Sequence, residues 1–357
     1  MNTKKHCSRV CAPSSECVAA VHGWALGRRR PGFRVKHALG LKHLTVLLPA
    51  LLDCNLDQPV QLVDVGAGIH NLFGYELKAQ DLHEDDSDAL WLLAGFQHAA
   101  DVHAFEINHL KALELQQAAA TRPMTQHVAQ RLHIHTTSVG DHIVGNTARI
   151  ALCGAENTWS ISAARPDCQQ GSRINHTTMD AYFARSAGRL LYVKIDVEGA
   201  EVQVLRGMHH LLNAGMVDII SLEYAFGWNA AFDDGFSSDR RTTRQAKKGE
   251  TLKLTQAMLD QVGYDTYLIH AEQADPRVPI KKPQTMVDIT LVPVYGPYWH
   301  DEFEICLRTN EVYGRRGCWT DLLVVRRCMS PCLKRMLLRQ LTNTSRFFRS
   351  ACTPECF

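Results

Sequence analysis

Apolar residues along the middle of the chain fall into short, nearly unbroken blocks, and most of these blocks end at an acid or a glycine. Gln61–Val65 (QLVDV), Asp101–Phe105 (DVHAF), Leu132–Thr137 (LHIHTT), Leu190–Ile195 (LLYVKI) and Val217–Leu222 are such blocks. Runs this short and β-rich predict strands, and those apolar at successive positions predict strands buried on both faces of a parallel sheet. Helical spacing follows two of them. Glu201, Val202 and Leu205 begin one helix after a turn at Gly199, and Leu252, Leu259 and Val262 mark another that stops at Gly263. Tyr264–Ile269 and Met286–Val294 then predict a pair of strands closing the sheet with one reversed member. Alternating strands and helices predict an α/β fold with a doubly wound, mostly parallel sheet and a reversed terminal strand.

The flanks differ in character. Before Asp53 the single acid is Glu16, against nine Lys and Arg that include Arg28, Arg29 and Arg30, and from Arg326 onward the single acid is Glu355. The expected organisation is therefore a basic N-terminal tail over 1–32, a domain over 33–300 and a C-terminal extension with a basic, Cys-containing tail over 301–357. An apolar-rich stretch from Phe33 to Leu52 predicts a covering helix, and Pro331–Phe348 predicts an amphipathic one, with Leu333, Met336, Leu337 and Leu341 on one face. The basic ends suit solvated extensions, or peripheral docking to an anionic partner or membrane surface.

A net charge of +2 over 357 residues makes no case for nucleic acid, and no apolar run approaches the roughly 20 residues that span a bilayer. A cytoplasmic protein is expected, with organelle targeting by the Arg-rich N-terminus as the other reading. Twelve cysteines are present. Those inside the domain are scattered, as thiols in a reducing compartment are, while Cys7/Cys11, Cys328/Cys332 and Cys352/Cys356 stand four apart in the tails. No C-x-x-C spacing and no His partner support zinc, so disulfide staples or free thiols are expected there.

Chemistry concentrates at the carboxyl ends of the expected strands, where open α/β sheets bind ligands. Asp196, Glu198 and Glu201 cluster after Leu190–Ile195, beside Lys194 within that strand. One acid there needs no more explanation than a helix N-terminus; three suggest a site. Asp64 precedes the Gly66–Ala67–Gly68 turn, Glu106 ends the second strand, Glu223 ends the fifth, and His70 stands beside the glycine turn. A glycine turn lets backbone approach a ligand, and an acid ending the second strand can accept both hydroxyls of a ribose. Ser138 and Asp141 lie in the turn after the third strand, where Asp141 either accepts from an exocyclic amine or forms a plain Gly-Asp turn. The polar stretch 225–250, holding Phe226, Trp228, Phe232 and Phe236, predicts a substrate lid.

The stretch KIDVEGAEVQVLRG (194–207) is similar to the signature of the FkbM-type methyltransferases. DVGAG (64–68) resembles the first motif of class I methyltransferases, AFEINH (104–109) resembles the family's AFEPNP, and TTMDAYF (177–183) its short TLDD-type element. Together they span roughly Gln61 to Val294. The resemblance implies a Rossmann-like fold and S-adenosylmethionine as cofactor, held by Asp64, Gly66, Ala67, Gly68, Glu106, Ser138, Asp141 and Asp196. It implies a small-molecule or glycan hydroxyl as acceptor, the base being drawn from Asp196, Glu198, Glu223 and His70. Two departures are visible: His70 and Asn71 replace small residues after the glycine turn, and a segment containing HEDDSD lengthens the path to Glu106 and is expected as a surface loop or extra helical turn. Asp196 with Glu198 or Glu223 could contribute to a divalent-cation shell but would fill only part of it, so no metal ligands are assigned. A methyltransferase acting on a lipid or a protein side chain, and a non-catalytic binding module, are the other readings.

Overall fold

The computed structural model describes residues 15–27, 60–68, 87–96, 100–141, 148–149, 152–153, 160–161, 173–185, 188–197, 200–225, 252–272, 288–304, 319–329 and 332. The chain divides into two compact units, one of residues 1–55 with 251–357 and one of 56–250. His70, Glu198, the helix expected over 33–52, the lid over 226–250 and the amphipathic helix expected over 331–348 lie outside the described residues, except for Cys332.

In the second unit five parallel strands form the core. They are β1 (Val60–Val65), β2 (Ala100–Phe105), β3 (Leu132–His135), β9 (Arg189–Ile195) and β10 (Val217–Ala225), in the spatial order β10-β9-β1-β2-β3. Between β3 and β9 come β4 (Thr137–Val139), the two-residue pieces β5 (Ala148–Arg149), β6 (Leu152–Cys153) and β7 (Ser160–Ile161), and β8 (Arg173–Thr177). β8 pairs with β4 and β5 in a small separate sheet.

Burial explains the order. β9 is shielded from solvent at every position except its first, and β1 except at Gln61, as strands covered on both faces must be. β3 ends the order and is only partly covered along its length. The chain winds from β1 outward through β2 to β3, then returns to the other side of β1 and continues through β9 to β10. The switch point therefore falls between β1 and β9, and ligands of doubly wound sheets bind outside the carboxyl ends at such a point. The expected α/β class, mostly parallel and Rossmann-like, is the observed one.

Three helices of this unit begin at a side-chain cap. α2 (Asp88–Gly95) carries an apolar LWLLAG run and is N-capped by Ser87. α3 (His109–Thr121) is capped by Asn108, whose side-chain oxygen accepts from the N–H groups of Leu110 and Lys111. α4 (Met179–Phe183) is capped by Thr178. The short α5 (Glu201–Arg206) and α6 (His209–Asn213) connect β9 to β10.

The first unit contains α1 (Ser15–Gly27), α7 (Leu252–Gln261), β11 (Tyr264–Glu272), β12 (Asp288–Pro293) and β13 (Trp319–Arg326). β11 runs antiparallel to both β12 and β13, which supplies the expected reversed strand. Two segments read from the sequence as parts of the terminal extensions carry regular structure. Residues 15–27 form α1, which buries Cys17 and Val21, and residues 319–326 form β13, whose Leu322, Leu323 and Val324 are fully buried. Arg327 fixes the end of β13 by donating from Nε to Asp265 at 2.8 Å and pairing with Asp260. Cys17, Cys328 and Cys332 are disulfide-bonded. Among the described residues no helix is long and apolar enough to cross a membrane.

Candidate functional site

The site is built on Lys194. It occupies the next-to-last position of β9, level with Asp64 of β1, so parallel register alone brings the two side chains to one place. Its ammonium lies 3.4 Å from Asp64 Oδ1, 3.0 Å from Asp88 Oδ2 and 3.4 Å from Asp196 Oδ2. Lys194 and Asp64 are both buried, and such an ammonium persists only among opposite charges. Burial alone would lower the Lys194 pKa; the three aspartates outweigh it and hold the group well above its ordinary value. Asp64 moves the other way. Burial, together with the charges of Asp88 and Asp196, raises its carboxyl to about 6 against the opposing pull of Lys194.

This cluster fixes the glycine turn from below. Asp64 Oδ2 accepts from the Ala89 N–H at 2.9 Å, and the Ser87 hydroxyl donates to the Ala67 carbonyl at 2.8 Å. The start of α2 is thus fastened to both sides of the turn. Gly66 and Ala67 in addition donate their N–H groups to the Phe105 carbonyl, at 2.9 and 3.1 Å, and Asp196 donates its own to Val65 at 2.9 Å. Gly66 has φ +87°, and a β-carbon there would lie 1.7 Å from the Asp196 carbonyl oxygen. No side chain fits, because the turn must pass beside the end of β9.

Glu106 stands at the end of β2 and is 7 % exposed. Its Oε1 accepts from the Asn108 N–H at 2.7 Å, while Oε2 lies over Gly68: a β-carbon on that glycine would be 2.7 Å from it. Burial raises its pKa, offset by the Asn108 N–H, by Lys111 and Lys194, and by the Ile107 N–H. Glu201 is fully buried and accepts from the Val197 N–H at 3.1 Å, which ties down the turn after β9.

Of the residues expected in the site, Asp64, Gly66, Ala67, Gly68, Glu106 and Asp196 come together at the β1/β9 switch point. Ser138 and Asp141 belong to a second group. The Ser138 hydroxyl is 3.1 Å from His176 Nδ1, and Asp141 lines a cavity of about 530 Å³ with Thr178, Asp180, Arg206 and His209. Glu223 is 3 % exposed within β10, whereas the Asp196 side chain is 19 % exposed. Asp88, Ser87 and Lys111 were not foreseen. The first two end the acidic HEDDSD run, expected as a surface loop or extra helical turn; Asp88 opens α2 and is buried against Lys194. A Ser-Asp pair directly before an apolar run is a helix-start signal, and it could have marked them. Among the described residues no group of three or more His, Cys, Asp or Glu could hold a metal ion.

A family model described as "Methyltransferase FkbM domain" matches residues 64–263. No curated protein matches the sequence. Similar solved structures include cofactor-bound Rv0187 from MTB, with 10 % identity, TM-score 0.33, and coverage of 88 % of this chain and 91 % of that one. Magnesium protoporphyrin IX methyltransferase (ChlM) from Synechocystis PCC 6803 with bound SAM matches at 11 % identity and TM-score 0.29, over 89 % of this chain and all (100 %) of the other. A putative O-methyltransferase from Klebsiella pneumoniae matches at 8 % identity and TM-score 0.33, over 88 % and 90 % of the two chains.

Proposed function

The chain belongs to the methyltransferase FkbM domain family, and from that premise we propose that it transfers a methyl group from S-adenosylmethionine to a hydroxyl of a sugar, glycan or secondary metabolite. One observation carries the cofactor part of this reading: at the switch point a buried carboxylate faces the open α-carbon of Gly68 across a turn that admits no side chain at Gly66. The residues fit the group. Glu106 would accept from the two ribose hydroxyls, and the Gly66–Ala67–Gly68 backbone would line the methionine end, with Asp196 beside it.

The cofactor, when bound, supplies a methyl group on a sulfonium whose leaving group is a neutral thioether. The protein's share is then to hold the acceptor in line, exclude water and take the hydroxyl proton. Asp196 is the described acid best placed for that proton, since it directly follows β9 and keeps part of its carboxylate exposed. Its Oδ2 faces Lys194, which holds the carboxylate in place from beneath. Glu223, Glu198 and His70 are the further base candidates, and Asp64, enclosed beneath the turn, supports the cradle through Ala89 and Lys194.

Calorimetric titration with S-adenosylmethionine and S-adenosylhomocysteine, with and without magnesium, tests the reading. Saturable binding of both is expected, followed by methyl incorporation in a screen of sugar and glycoside hydroxyls that Asp196→Asn abolishes without abolishing cofactor binding. No binding in either buffer overturns the cofactor reading. Incorporation only into lipid or protein side chains overturns the acceptor class.

A further inference from the structure

The cradle contains a cation that the proposed function does not use. Lys111 lies in the first turn of α3, its N–H 3.3 Å from the capping Asn108 Oδ1. A helical side chain leans back toward the N-terminus of its helix, which here means toward the end of β2. A β-carbon built on Gly68 would lie 3.0 Å from Lys111 Cδ, 3.2 Å from Lys111 Nζ and 2.7 Å from Glu106 Oε2. The ammonium and the carboxylate oxygen therefore converge over the same α-carbon. The other oxygen, Oε1, is already engaged by the Asn108 N–H.

We propose that Lys111 is a positioning residue for the cofactor's ribose, whose ammonium holds Glu106 Oε2 over Gly68 in the ionised form that accepts hydroxyl hydrogens. The inference rests on the ribose reading of Glu106. A carboxylate this buried tends toward its neutral form, and a protonated carboxyl loses acceptor capacity and donates where the hydroxyl must donate. The groups facing Glu106 that favour the charged form are Lys111, Lys194 and the N–H groups of Ile107 and Asn108. Lys194 faces three aspartates, whereas the Lys111 ammonium and Glu106 Oε2 both approach the α-carbon of Gly68, where the ligand would sit. The aliphatic stem of Lys111 also covers Gly68, and that part of its role survives replacement by methionine.

Lys111→Met therefore separates charge from packing. In cofactor-free protein labelled with ¹³Cδ-glutamate, with Glu106→Gln assigning the resonance, Lys111→Met moves the Glu106 titration to higher pH and Lys111→Arg leaves it near the parent. In calorimetry with S-adenosylhomocysteine, the acid limb of the binding profile moves to higher pH in Lys111→Met. The loss is tenfold or more near pH 6, and affinity recovers toward the parent at alkaline pH. In a Glu106→Gln background Lys111→Met adds no further pH dependence. An unmoved Glu106 titration, or an affinity loss equal at every pH, overturns the proposal. If the titration moves but S-adenosylhomocysteine does not bind even the parent protein, the pairing stands, and its purpose falls together with the cofactor reading.

Discussion

Replacing Lys194 by methionine removes the one ammonium from a buried group of three carboxylates while keeping most of the volume. Truncating one partner of a buried ion pair costs about 3–5 kcal/mol, because the remaining charge stays desolvated without compensation. Here Asp64 and Asp88 are buried and Asp196 is the most exposed of the three, so a loss of about 4 kcal/mol near pH 8 is expected, most of it from Asp64 and Asp88. The cost must depend on pH, and its sign follows from the acids. Asp64 already has a folded-state pKa of about 6, above its ordinary 3.8, and losing Lys194 pushes it higher. Between those values the folded state binds the extra proton, so the variant gains stability as pH falls and loses it as pH rises through the folded pKa. Lys194 itself, held well above its ordinary value, contributes fully throughout neutral and acid pH, so the parent's own lysine adds no slope there. Urea unfolding followed by far-UV circular dichroism near pH 8 and near pH 5.5 measures both limbs. The gap between variant and parent should shrink by about 2 kcal/mol or more at the lower pH. A gap below about 1 kcal/mol at pH 8, or one of equal size at both pH values, would refute the claim that the lysine serves to neutralise the aspartates.

Gly66→Ala combines a positive φ, worth about 1–2 kcal/mol, with a β-carbon 1.7 Å from the Asp196 carbonyl oxygen. It should lower stability by at least that amount and eliminate S-adenosylhomocysteine binding in calorimetry, and parent-like affinity would contradict the close passage of turn and strand. His103 and His135 each titrate near 4, below the ordinary 6.5, chiefly because burial disfavours the charged ring, with His133 adding repulsion. Neutral in the fold and protonated when unfolded, they withdraw stability as pH falls from about 6.5 to about 4, by about 1 kcal/mol each after allowance for their partial exposure. A His103→Gln/His135→Gln variant should therefore gain on the parent at pH 5 relative to pH 7.5 in the same urea assay. Cys17, Cys328 and Cys332 should resist alkylation in denatured, unreduced protein and react after reduction, which peptide mass spectrometry reads directly. Recovery of all three as free thiols would contradict the bonding seen here.

The strands were legible because both-face burial writes itself as contiguous apolar residues: QLVDV, LLYVKI and the run beginning at Val217 can hardly be anything else. The glycine turn and Glu106 followed from their positions at the ends of those strands. α1 was not legible, since its residues show no sustained apolar period and its burial rests on a few positions such as Cys17 and Val21. β13 escaped for another reason: its pairing partner, β11, lies some fifty residues earlier, and long-range antiparallel pairing leaves no local mark. Asp88 failed differently again. An acid in an acidic run reads as surface, and only the register of β1 against β9 shows that a lysine waits beneath it.

That register explains why a lysine stands in a strand otherwise closed to charge. Asp64 and Lys194 are level across β1 and β9, so the pair straddles the one seam in the sheet where the winding reverses. Asp88 reaches the same ammonium from α2, and Asp196 from the first residue beyond β9. Three stretches that the chain supplies at distant points, β1, α2 and the end of β9, are therefore joined by a single side chain directly beneath the glycine turn. An apolar residue at 194 would pack as well, but it would leave α2 tied to the turn only through the Asp64 and Ser87 side chains and the Asp196 peptide only through its bond to Val65. Among the described residues, three carboxylates against one ammonium also leave this cluster with excess negative charge. A cleft of that sign attracts a cation. A sulfonium cofactor with a free amino group, as proposed above, would meet that requirement.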